Sequence, residues 1–117
     1  MERWFRAAVY SWNGLVAAAR GEVAVRQELI VLALAFPLAF LVTPDPWKRV
    51  ALVAVLMLVI AIELLNTAIE RLADHVTPSL HPNIGRIKDM GSAAVALALL
   101  IAAMIWLVAI AERLALL

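Results

Sequence analysis

I-E-L-L-N-T-A-I-E-R-L-A-D, residues 62–74, decides how this chain is read. It closes a run of thirteen apolar residues, Val50 to Ile62, and then sets down Glu63, Asn66, Glu70 and Asp74. On a helix these positions, i, i+3, i+7 and i+11, share one face. Leu64, Leu65, Ile69 and Leu72 point in other directions. A carboxylate near the middle of a membrane span costs about 2.5–3.5 kcal/mol on insertion scales. A span that keeps one, with three polar groups aligned below it, is expected to use them.

The composition makes the membrane reading firm. Of 117 residues, 66% are hydrophobic, against about 45–50% in a soluble domain, and the mean hydropathy is +0.97. A net charge of +1 gives no nucleic-acid footprint. The absence of cysteine excludes disulfides, thiol catalysis and Cys-ligated zinc. The N-terminus lacks the uninterrupted apolar core of a cleavable signal peptide, and the length leaves no room for a second domain.

Outward from residues 62–74, the pattern resolves into one all-α membrane domain over 1–117. A surface helix over 2–20 carries Trp4, Phe5, Ala8, Val9, Trp12, Leu15, Val16 and Ala19 at helical spacing, with Arg3, Arg6, Asn13 and Arg20 opposite. Gly21 interrupts this pattern. The first span, over 26–43, needs Arg26, Gln27 and Glu28 at the membrane boundary, because Leu29 to Thr43 alone covers only about 22 Å of a hydrocarbon core of about 30 Å. Thr43 to Arg49 reads as a turn with two prolines and an anchoring Trp47. The second span covers 50–72, a polar segment runs from Asp74 to Met90, and the third span covers 91–111. In the third, Ala94, Ala98 and Ala102 form a small-residue row suited to close helix approach. Seven Lys and Arg on the side of the N-terminus and the second loop, against three on the other, predict a cytoplasmic N-terminus.

The polar groups then sort by depth. Glu22, Glu70, Asp74, His81, Lys88 and Asp89 gather at the cytoplasmic rim, with Glu63 about 10 Å above Glu70. Oxygen donors without cysteine suit Mg²⁺ better than zinc. Mg²⁺ brings phosphates, for which Lys88 and nearby arginines are counter-charges. A base at membrane depth above such a rim describes phosphoryl transfer onto a lipid hydroxyl. No P-loop or protein-kinase motif is present. Two other classes compete. A small proton-coupled transporter accounts for Glu63 but leaves Glu70, Asp74, Lys88 and Asp89 idle, and it favours an even number of spans. A passive structural subunit would use Glu63 and Asn66 only as a clamp between spans.

E-L-L-N-T-A-I-E at 63–70 followed by K-D-M-G-S-A-A-V at 88–95 resembles the small integral-membrane diacylglycerol kinases of bacteria. The A-A-x-Y-S-W-x-G-L pattern at Ala7–Leu15 and R-Q-E at Arg26–Glu28 fit the same family, so the resemblance covers nearly the whole chain. It implies an ATP- and Mg²⁺-dependent kinase of the bacterial inner membrane that makes phosphatidic acid. It also implies a homotrimer of three-span helical subunits, each with a surface helix and with active sites between neighbours. Glu63 would be the general base, with Asn66 orienting a reacting group. Glu22 and Glu70 would hold metal and nucleotide, and Arg3, Tyr10, Ser79, Leu80, His81, Lys88 and Asp89 would contact ATP. Ser11, Trp12, Arg26, Gln27, Glu28, Ser92 and Trp106 would line the lipid path with Glu63. The chain departs from the family at Asn13, where a basic residue is expected. His81-Pro82 is similar to the related undecaprenol kinases of Gram-positive bacteria, whereas M-G-S-A-A-V favours the diacylglycerol branch.

Overall fold

In the computed structural model, which describes residues 1–77 and 81–117, prolines begin helices rather than end them. Asp45 stands in extended backbone before Pro46, and its Oδ1 accepts from the backbone N–H of Trp47 (2.9 Å) and Lys48 (3.4 Å). His81 does the same before Pro82, its Nδ1 accepting from the Asn83 N–H at 3.1 Å. A proline in the first turn has no N–H to leave unsatisfied and arrives with a helical φ. The two X-Pro pairs therefore launch the two longest helices.

Four helices result: α1 (Glu2–Gly21), α2 (Val23–Val42), α3 (Pro46–Val76) and α4 (Pro82–Arg113). The last three are long and apolar enough to cross a membrane, and the expected spans lie within them apart from Thr43, the C-cap of α2. The polar segment 74–90, expected as a loop, is helical on both sides of 77–81. Asp74 sits in the last turn of α3, and Pro82, Arg86, Lys88 and Asp89 in the opening turns of α4. At 1.5 Å per residue, α3 and α4 run to about 46 and 48 Å, well beyond the hydrocarbon core, so polar residues at their ends stand in the interfaces.

Counted from Pro46, Glu63 lies about 26 Å along α3. The run Val50–Ile62 covers about 20 Å of that helix, and Glu63, Asn66, Glu70 and Asp74 follow it toward the end of α3 at Val76.

α3 is the central element, packed most extensively on α4, then on α2, with α1 touching near its end. Val55 and Val59 of α3 meet Ala98 and Ala102 of α4, so two of the three alanines in the expected row do admit a neighbouring helix; Ala94 stays exposed. Ala35 and Ala39 of α2 are buried in the same way. Gly91 allows the closest approach: a Cβ there would overlap Asn66 Oδ1. The whole measures 53 × 41 × 21 Å, a slab whose broad faces carry exposed Leu, Ile, Val and Phe.

Candidate functional site

The carboxylate face of α3 meets the junction of α1 and α2. Glu22 alone separates those helices, in extended backbone at φ −125°, ψ 121°. Arg26 fixes the junction by donating to the carbonyls of Ala19 and Arg20, both at 3.0 Å, which satisfies free acceptors at the end of α1. Glu22 is thereby carried to α3, where the Arg71 guanidinium reaches its Oε1 at 3.4 Å. Glu70 and Glu22 both lie within electrostatic reach of Glu63, and Glu63 within reach of Glu28. Four carboxylates from α1–α2 and α3 thus share one end of the slab.

Asn66 is the buried member of this group, 8% exposed. Its Nδ2 donates to Glu70 Oε1 at 3.1 Å, one turn along the helix, which fixes the direction of that carboxylate. Among the described residues, two buried oxygens, Asn66 Oδ1 and Glu28 Oε1, have no hydrogen-bond partner. Buried polar atoms are nearly always paired, so both are exceptions at this end of the molecule.

Among the described residues, no three His, Asp or Glu side chains converge on one point suited to a metal ion. One chain offers Glu22 and Glu70, each within electrostatic reach of Glu63. That donor set fits a hard cation of the Mg²⁺ type, which is held through one or two carboxylates together with phosphate oxygens.

The other expected residues are distributed unevenly. Lys88 comes to α3 through an ion pair with Asp74 at 2.5 Å, while its neighbour Asp89 is exposed. His81 is committed to capping α4. Ser79 and Leu80 lie outside the described residues. Gln27 and Ser92 are exposed, as is Trp12, and Ser11 Oγ donates to its own helix at Ala7 O. Arg3 and Tyr10, exposed on α1, are about 28 and 18 Å from Glu22 along that helix, so a single chain does not bring them to the carboxylates. Trp106 donates its indole N–H to Leu52 O at 3.1 Å, about 16 Å along α3 from Glu63. There it lines an apolar groove of about 430 Å³ with Val31, Leu34, Leu38 and Leu56.

Two residues of the site had no role assigned to them from the sequence. Arg71 counted there only as a charge, because nothing local shows that it turns to Glu22. Gly91 looked like the start of a span; its signal was a glycine inside an apolar helix, which marks a close approach.

The chain matches the family described as prokaryotic diacylglycerol kinase over residues 9–110. It is 44% identical over 104 residues to the diacylglycerol kinase of Escherichia coli (strain K12), covering 89% of this chain and 85% of that one. It is 40% identical over 106 residues to that of Pseudomonas aeruginosa (91% and 86%), and 35% over 105 residues to that of Helicobacter pylori (90% and 82%). With Glu63, Asn66 and Glu70 aligned on one face and a match across nearly all of its length, this chain belongs to the prokaryotic diacylglycerol kinase family.

Proposed function

We propose that the protein is an ATP- and Mg²⁺-dependent kinase that phosphorylates the hydroxyl of diacylglycerol, giving phosphatidic acid at the cytoplasmic face of the bacterial inner membrane. One observation carries the reading: Glu63, at the end of the apolar run of α3, lies within electrostatic reach of Glu22 and Glu70. A carboxylate there joins the apolar span, where a lipid lies, to the polar end, where a nucleotide would bind.

Glu63 is assigned as the general base. It takes the hydroxyl proton as the lipid oxygen bonds to the γ-phosphorus and the bond to the ADP oxygen breaks. Asn66 holds Glu70 in direction through Nδ2. Glu22 and Glu70 would hold Mg²⁺, which supplies charge neutralisation on the phosphates. Lys88 and Asp89, with Arg3, Tyr10 and the 79–81 segment, are assigned to the nucleotide. Ser11, Trp12, Arg26, Gln27, Glu28, Ser92 and Trp106 are assigned to the lipid. Most of the catalysis comes from positioning and charge neutralisation. Assembly as a homotrimer with sites between neighbours is part of the reading. It is supported by the distance of Arg3 and Tyr10 from the carboxylates of their own chain and by the apolar faces of the slab.

The test is ATP-dependent phosphorylation in mixed micelles, offering diacylglycerol and undecaprenol in parallel, with Glu63→Gln as control. Diacylglycerol is the expected product-former, and Glu63→Gln is expected to lower kcat by about 10²–10⁴-fold. Near-full turnover by Glu63→Gln would remove the assigned base. Preference for undecaprenol, the reading favoured by His81-Pro82, would keep the mechanism and change the lipid. No phosphorylation of either by helical protein with Mg²⁺ would return the transporter reading.

A further inference from the structure

Arg71 follows Glu70 in sequence, one step of about 100° round the helix, and stands beside the carboxylate face where α3 meets the α1–α2 junction. Its guanidinium lies on the backbone of Gly21, where an added Cβ would meet Nη2, and it pairs with Glu22 Oε1 at 3.4 Å. Two other cations at this end are engaged elsewhere: Lys88 with Asp74, and Arg26 with the carbonyls of Ala19 and Arg20. Glu22 meanwhile shares its surroundings with Glu63 and Glu70. A cluster of three carboxylates needs positive charge nearby, and Arg71 supplies it at Glu22. Both partners are partly open to water, with side-chain exposures of 51% and 37%. The pair is therefore a weak one that another cation can replace.

We propose that Arg71 is the resident counter-cation of Glu22, holding its carboxylate beside Glu63 and Glu70 and yielding it when a divalent cation binds. Arg71 is then a positioning residue that competes with the metal and raises the metal concentration the enzyme needs. This rests on the reading of Glu22 as a cation-holding carboxylate.

Equilibrium Mn²⁺ binding tests it, followed by the loss of the free-ion paramagnetic resonance signal on purified protein in micelles. Arg71→Met is expected to bind Mn²⁺ about fivefold more tightly, the size of an exposed ion pair released from competition. Arg71→Lys, which keeps a competing charge, is expected to stay near the natural chain. On a Glu22→Gln background, Arg71→Met is expected to make no difference. Unchanged or weaker binding by Arg71→Met would overturn the proposal, as would no detectable Mn²⁺ binding by that variant. If Glu22→Gln alone leaves Mn²⁺ affinity intact, the assignment of Glu22 falls first and the proposal with it.

Discussion

The two ends of the slab spend their charges differently. At the end formed by residues 41–49 and 112–113, charged groups close the helices. Arg49 donates to Thr43 O at 2.8 Å and stacks 4.1 Å from the Phe40 ring. Arg113 donates to Leu41 O at 3.2 Å, Lys48 pairs with Glu112 at 2.5 Å, and Asp45 caps α3. At the opposite end Arg26 has the same task, but the carboxylates do not. Among the described residues, Asn66 Oδ1 and Glu28 Oε1 are buried without partners, and Glu22 is paired with the partly exposed Arg71. One end is satisfied by its own chain, and the other keeps acceptors in reserve. Charge alone does not make a site in this molecule; acceptors without a donor do.

If that contrast is right, substitutions at the two ends will separate activity from stability. The largest effect is expected for Glu70→Ala, which removes both a cation-holding carboxylate and the acceptor of Asn66. Lipid phosphorylation at saturating substrates should fall at least about 10²-fold, with helix content by circular dichroism unchanged. Asn66→Leu should cut activity about tenfold or more, because Glu70 loses its fixed direction. It should also raise the unfolding free energy in micelles by about 1 kcal/mol, since an unpaired buried amide oxygen is replaced by apolar surface. A fall in stability would mean that Asn66 is an ordinary clamp between spans. Gly91→Ala should displace the Asn66 side chain, costing about 1–3 kcal/mol of stability and lowering activity in the same preparation. Asp45→Ala, at the satisfied end, should cost about 1 kcal/mol through the lost cap and leave kcat unchanged. A loss of activity there would erase the difference between the ends.

Particular residues explain what could be read in advance. The spans were legible because a thirteen-residue apolar run has few other uses, and the face of Glu63, Asn66, Glu70 and Asp74 was legible because helical spacing is local. The helix bounds at 74–90 were not, because a proline reads as a breaker until the residue before it is seen to cap. His81 and Asp45 act through side-chain hydrogen bonds that spacing does not reveal. Arg71 and Gly91 matter only through residues 49 and 25 positions away in sequence, and tertiary contacts of that kind leave no local pattern.

The junction between α1 and α2 has no slack. Two helices of 20 residues each meet through one residue, which spans about 3.8 Å between successive Cα atoms. The surface helix is thus a lever of about 30 Å whose fulcrum is Glu22. The angle of α1 to α2 is set chiefly by that residue's two backbone dihedrals, and those dihedrals also set the direction of its Cα–Cβ bond. The tilt of the surface helix and the point from which the carboxylate reaches are therefore linked.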